Sequence, residues 1–167
     1  RSIQVQSDYD PTVSFGAIDT YAWLPPIGPE GGRGTIMDDL LSQRVQRAVN
    51  DQLRSKGLEL VEPARADVLV AYQMSVEERL DVDTVHYGYR YGRWGYAGPA
   101  HTTTYVREYE QGTLVIDLIA PEERRLIWRG VGRTRLRDQA TPEQREAHIR
   151  EVVGAILERY PPEAHGG

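Results

Sequence analysis

Apolar and polar positions along this chain fall into two rhythms. Leu114, Ile116 and Leu118 alternate with polar or outward-facing partners, and a second alternating run covers Leu126–Leu136. Between them stand Pro121 and four charged residues, which read as a turn. Period-two alternation of this kind predicts a β-hairpin with one buried face. Setting Leu118 opposite Leu126 puts Ile116 opposite Trp128 and buries Leu114, Ile116, Leu118 and Trp128 together. A one-residue slip would set Asp117 against Trp128, so this register is preferred on burial. It leaves Asp117 and Arg129 diagonal to one another on the opposite face.

Further strands are predicted at Ser2–Ser7, ended by Asp8, Asp10 and Pro11, and at Thr20–Leu24, stopped by Pro25 and Pro26. Leu58–Val61 reads as a short strand. Val68–Val76 has one strongly apolar face, and Thr102–Tyr109 is rich in Thr, Tyr and Val. Glu110, Gln111 and Gly112 supply a turn into Thr113–Ile119.

The other rhythm is helical. Leu41, Val45, Val49 and Leu53 recur every four residues, with Ala48 widening the stripe, and predict a helix over Asp39–Lys56. Asp38 or Asp39 is its expected cap, and Gly57 its expected left-handed terminator. A second helix starts at Thr141, with Pro142 at its first position and Gln144 completing a capping box. Ile149, Val152, Val153, Ile156, Leu157 and Tyr160 form its buried stripe, and Pro161-Pro162 ends it. The resulting fold class is α+β. A single domain over residues 1–162 is expected, with a mostly antiparallel twisted sheet, two amphipathic helices on one face, and a flexible tail at 163–167.

Composition narrows the function classes. The net charge of −5 supplies no global positive field for nucleic acid or anionic lipid. The absence of cysteine excludes disulfides, thiolate catalysis and thiolate metal sites within these 167 residues. No apolar run approaches the roughly 20 residues needed to cross a bilayer. The glycines of Gly28–Gly34 lack the strand–turn–helix setting of a phosphate loop, and Asp38 and Asp39 would repel phosphate there.

Candidate chemistry is sparse. Asp81, Asp83, His86 and His101 could gather around a metal only if their connecting loop folded back, whereas His148 and His165 sit apart. Ser75, His101 and Asp117 name a triad that nothing aligns. Glu77 and Glu78 would point to opposite faces of a strand. No catalytic, cofactor or metal residue is therefore assigned. Asp117 and Arg129 form a polar pair that reads mainly as structural, with ligand contact as the alternative.

The insert from His86 to Tyr96 is distinctive: Tyr87, Tyr89, Tyr91, Trp94 and Tyr96 interleave with Arg90, Arg93 and three glycines. Such rings either pack back onto their own sheet or present a contact surface for protein, peptidoglycan or glycan. Arg90 and Arg93 do not make an RNA signature without a recognition fold.

In order, Asp8-Tyr9-Asp10-Pro11, Thr20-Tyr21-Ala22-Trp23-Leu24-Pro25, Gly112–Leu118, Leu126–Gly130 and Tyr160-Pro161-Pro162 resemble a bacterial family of envelope lipoproteins carrying a domain of unknown function. The resemblance runs through nearly the whole chain. It implies export to the periplasm or outer membrane and attachment through a lipidated cysteine ahead of the mature domain. The opening on Arg1 rather than methionine fits removal of an export segment. The resemblance brings no catalytic residues.

The expected function is a non-enzymatic, envelope-associated domain that binds or assembles with another envelope component. That component is an envelope protein, peptidoglycan or glycan, with no nucleic acid and no membrane contact beyond an upstream lipid anchor. A small-ligand or glycan-modifying enzyme and a purely structural spacer stand as alternatives.

Overall fold

Both rhythms become regular structure in the computed structural model, which describes residues 3–25, 36–87, 101–136 and 140–163. Strands β1 (Gln4–Tyr9), β2 (Thr20–Trp23), β3 (Glu59–Leu60), β4 (Val68–Tyr87), β5 (His101–Ala120) and β6 (Arg125–Arg135) form one sheet in the order β1-β6-β5-β4-β2-β3. The pairs β1/β6, β6/β5 and β5/β4 are antiparallel, while β2 runs parallel to both β3 and β4. Helices α1 (Ile36–Ser55) and α2 (Pro142–Leu157) share one core with Val68, Val70, Leu114, Ile116, Leu118 and Trp128. This is the expected α+β class: a mixed, largely antiparallel sheet with two helices packed against it.

Local chemistry explains where the helices stop. Gly57 takes φ +92°, the Leu58 N–H donates to the Leu53 carbonyl at 3.0 Å, and the Gly57 N–H donates to Arg54 at 3.0 Å. These two bonds close α1 in a Schellman motif, with Leu53 and Leu58 both buried beneath it. At the other end the expected cap is corrected. The helix begins at Ile36, so Asp38 and Asp39 are residues of the helix rather than its cap. The start of α2 follows the sequence: Gln144 N–H donates to Thr141 Oγ1 at 3.1 Å, and Thr141 N–H donates to Gln144 Oε1 at 3.0 Å. The helix ends at Leu157, before the prolines expected to stop it.

Three strand expectations are also corrected. Asp8 does not interrupt β1 but pairs with Arg129, and the turn waits until Asp10, whose carboxylate accepts from the Thr12 N–H at 2.9 Å. Glu110, Gln111 and Gly112 make no turn, because β5 passes straight through them, pairing Gln111 with Glu77 and Gly112 with Val76. Gly112 instead gives room to Leu136, whose Cδ2 would lie 3.2 Å from an added Cβ.

The hairpin register also differs. Leu118 pairs with Trp128, Asp117 with Arg129 and Ile116 with Gly130, while a bulge leaves Ile127 as an extra residue before Leu126 meets Ile119. The buried face is the expected one, since a shift of two residues preserves which side each residue faces.

The close approach of α2 to β6 depends on Gly130. A Cβ there would sit 2.4 Å from Trp128 Cη2 and 2.5 Å from Ile156 Cγ2; one on Gly132 would sit 2.9 Å from Ile156 Cδ1. The two glycines form a floor on β6 into which α2 sinks beside the fully buried Trp128 ring. Tyr160 meets that ring edge-on at 5.6 Å and Phe15 at 5.9 Å, and Phe15 meets Tyr9 at 6.0 Å. The resulting aromatic row ties both chain ends to β6.

Trp128→Ala should lower stability by about 3–5 kcal/mol, as expected for removal of a fully buried ring. Gly130→Ala should cost about 1–3 kcal/mol by overpacking. Urea midpoints check both, and a loss below about 1 kcal/mol in Trp128→Ala would place the ring outside the core.

Candidate functional site

Strand parity sorts the sheet into two faces. Because Leu118, Ile116 and Trp128 face the helices, Asp117, Val115, Ile119, Arg129 and Val131 face away from them. On this second face Arg129 grips Asp117 bidentately, Nε donating to Oδ1 at 2.7 Å and Nη2 to Oδ2 at 2.9 Å. The pair is asymmetric in burial. The Asp117 side chain is 8% exposed, while that of Arg129 is 45% exposed. The hydrogen bond to Asp117, and then its charge, raise the Arg129 pKa above the ordinary guanidinium value.

Around the guanidinium lie half-buried Val115, Ile119 and Val131, exposed Gln6 and Asp8, and Leu126, which is 42% exposed. Leu69 and Ala22, also facing away from the helices, are buried at the β2 side of this surface. The sequence reading thus found the pair. What it set diagonally stands directly opposite.

The other candidates do not converge. Asp81 lies opposite Arg107, Asp83 opposite Tyr105, His86 opposite Thr102 and His101 opposite Tyr87, all along a regular hairpin. The six residue steps from Asp81 to Tyr87 span about 20 Å, so the fold-back that would gather these residues is replaced by an extended ladder. Among the described residues no group of three or more metal-ligating side chains comes together. Ser75 pairs with Thr113 and Asp117 with Ala71, far along the ladder from His101, and the named triad is not assembled. Glu77 and Glu78 occupy successive strand positions, opposite Gln111 and Glu110. Tyr87 closes β4. Tyr89, Arg90, Tyr91, Arg93, Trp94 and Tyr96 lie outside the described residues, as do Gly28–Gly34 and His165.

Several polar side chains have roles the sequence reading missed. Asn50 on α1 accepts from both the Tyr21 hydroxyl and Trp23 Nε1, the latter at 3.1 Å, and the Tyr72 hydroxyl donates to Ser42. These bonds fasten α1 to β2 and β4. Burial raises the pKa of the Tyr21 phenol. His148 reaches back to Thr134, Nε2 to Oγ1 at 3.3 Å, and joins α2 to β6. Asp67 binds the Asp19 N–H at 2.9 Å and the Thr20 N–H at 3.2 Å, splicing β2 to the start of β4; these bonds hold its carboxyl below the ordinary range. Asp10 is likewise lowered, by its Thr12 bonds and by contact with Arg125. A shallow, open groove between α1 and α2 is lined by Arg44, Pro142, Glu143, Glu146, Ala147 and Arg150, with charges of both signs.

Comparison with known proteins agrees with this architecture. The profile of the domain-of-unknown-function family DUF4136 matches residues 5–162. The chain belongs to the DUF4136 family. No protein of curated function matches the sequence. A crystal structure of a PDZ domain protein from Parabacteroides distasonis ATCC 8503 aligns with a TM-score of 0.61 at 14% identity, over 98% of this chain. The DUF4136 chain spans 37% of that protein, and the likeness concerns the fold. The PelC dodecamer from Paraburkholderia phytofirmans aligns in two crystal forms, one of them a point variant. The TM-scores are 0.48 and 0.47, with 12% and 11% identity, 93% of this chain covered in each, and 95% and 96% of PelC. Among the described residues no helix of the DUF4136 domain is long and apolar enough to cross a membrane.

Two outcomes follow from the polar geometry. A double-mutant cycle with Asp117→Ala and Arg129→Ala should give a coupling energy of about 1–3 kcal/mol, because a lone Arg129→Ala strands a buried carboxylate. Additivity within experimental error would reduce the pair to a surface contact. The acid limb of stability is the second. Carboxyls lowered in the fold contribute stability above their unfolded pKa of about 3.9 and lose it as pH falls through their lowered values. Asp67→Asn, which retains an acceptor but no charge, should therefore lose less stability than wild type between about pH 5 and pH 2. Identical losses would contradict the assignment.

Proposed function

We propose that this domain is a non-enzymatic, envelope-facing recognition module that holds another envelope component, protein, peptidoglycan or glycan, against the sheet face the helices leave free. The observation that carries this reading is the Arg129 guanidinium. Two of its five N–H donors engage Asp117, yet nearly half of the side chain remains accessible. Asp117 fixes its direction, and Val115, Ile119, Val131 and Leu126 give it an aliphatic surround. A rigid arginine in such a setting suits carboxylate and carbonyl groups, and arginine is enriched among interface hot spots.

Recognition fits this surface better than small-ligand catalysis. Both Asp117 carboxylate oxygens are engaged by Arg129, and Ser75 and His101 stand far from it. The aromatic insert would extend the contact. Tyr87 and His101, the ends of β4 and β5 on either side of that sequence, are paired. The envelope location, and a lipid anchor ahead of Arg1, rest on the resemblance to envelope lipoproteins.

Photo-crosslinking from Leu126 or Gln73 in native envelopes, followed by purification of the adduct, tests the proposal. Adducts should form at these positions and at Tyr91 or Trp94, and should fail from Glu122 in the turn. Leu126→Lys and Trp94→Ala should each weaken binding of the purified partner by roughly tenfold or more while circular dichroism is unchanged. Unchanged affinity in both variants would reject this surface.

A further inference from the structure

The sheet ends differently on its two sides. At one margin β3 contributes only two residues and is followed by the proline-led turn Pro63–Arg65. Short edges and proline are common ways to prevent strand addition. At the other margin β1 is paired along all six residues with β6, without a bulge. Its sequence, Gln-Val-Gln-Ser-Asp-Tyr, holds no proline, lysine or glycine. Among the described residues no strand lies on its outer side.

The phase of the β1 ladder identifies the outward groups. Asp10 N–H donates to the Ile127 carbonyl at 2.9 Å, continuing the register that pairs Tyr9 with Trp128. Antiparallel strands alternate, so Gln4, Gln6 and Asp8 direct their backbone groups toward β6, and Val5, Ser7 and Tyr9 direct theirs outward. The outward Tyr9 N–H is engaged by its own neighbour, accepted by Asp8 Oδ1 at 2.8 Å. Along β1 the residues left with both an outward donor and an outward acceptor are therefore Val5 and Ser7.

We propose that β1 is a homodimerisation edge. It pairs antiparallel with β1 of a second copy about a two-fold axis at Gln6, joining two six-stranded sheets into one. In this register Val5 of each copy exchanges backbone bonds with Ser7 of the other, and Gln6 faces Gln6 across a non-hydrogen-bonded position. The groups match because a strand whose free pairs sit one residue either side of Gln6 is self-complementary under a two-fold operation. Charge matches as well. Asp8, the one charged residue of β1, stands opposite the partner's Gln4, an amide that can donate to it, and no like charges meet.

A register centred on Ser7 would instead demand the Tyr9 N–H that Asp8 already occupies. The outer part of the β4/β5 hairpin also offers backbone edges. The acidic sequence of that part of β4 opposes its pairing with itself. A perpendicular two-fold keeps the helices of both copies on one side, leaving the Arg129 faces side by side on the other. The proposal does not rest on the binding role of that face.

The absence of native cysteine makes the test clean. Directly opposed non-hydrogen-bonded positions have Cβ atoms about 4.5–5.5 Å apart, so Gln6→Cys should oxidise to a covalent dimer. Leu60→Cys on the β3 edge should stay monomeric. Sedimentation of the unmodified protein should show a concentration-dependent dimer. Ser7→Pro removes only an outward N–H, so it should abolish both the dimer and the Gln6→Cys crosslink while circular dichroism stays unchanged. Gln6→Lys and Gln6→Glu should each be monomeric alone and form a heterodimer when mixed.

A wild-type monomer at every concentration, or a Gln6→Cys protein that resists oxidation, would overturn the proposal. So would a Gln6 crosslink made in envelopes only to a different protein. Unchanged dimerisation in a folded Ser7→Pro variant would overturn the register.

Discussion

The close approach of α2 to β6 over Gly130 and Gly132 sets the rest of this fold. Ile156 occupies space that any side chain on those two residues would claim, and the Trp128 ring lies in the same layer. In the β5/β6 pairing Gly130 stands across from Ile116. The register in turn brings Arg129 opposite Asp117 on the far side of the sheet, and Asp8 next to it on β1. The glycine floor on the helix side and the charged group on the free side thus belong to successive residues of one strand. The chain ends are fixed by the same layer, through Tyr160 on Trp128 and Phe15 between Tyr160 and Tyr9.

Burial in this layer has a polar cost. Trp128 Nε1 and the Tyr160 hydroxyl are buried with no hydrogen-bond partner among the described residues, and burial pushes the Tyr160 phenol up to about 12. Each such group forfeits its bonds to water on folding, about 1–3 kcal/mol. The stabilisation from a fully buried indole and its edge-on ring contacts is of comparable or greater size. By contrast the helix–helix ion pairs, Arg47 with Glu146 and Arg150 with Asp51, are exposed and add little. The core, rather than surface charge, holds α1 and α2 in place.

Faces were legible in the sequence, and alignments were not. Alternation told correctly that Leu114, Ile116, Leu118 and Trp128 share one side and Asp117 and Arg129 the other. It could not distinguish two registers that differ by two residues, because both preserve the alternation; the structure pairs Ile116 with Gly130 and takes up the extra residue in a bulge at Ile127. Gly112 carried the same ambiguity, since a glycine between β-prone runs signals either a turn or a close approach, and here Leu136 makes the approach. Asp38 and Asp39 suit a cap or a first turn equally well in sequence. For the candidate site, the charge pair followed from parity, but its bidentate geometry and lopsided burial required coordinates. Which β1 groups point outward depends on the phase of one bond, Asp10 to Ile127, and no sequence signal encodes it.

The most direct measurement of this account is the β5/β6 alignment itself, read from cross-strand contacts in the nuclear magnetic resonance spectrum of the folded domain. Backbone contacts linking Leu118 with Trp128 and Ile116 with Gly130, together with a slowly exchanging Arg129 Nε–H, are the predicted result. Contacts linking Ile116 with Trp128 and Leu118 with Leu126 would contradict it, and with it the pairing that sets Arg129 opposite Asp117.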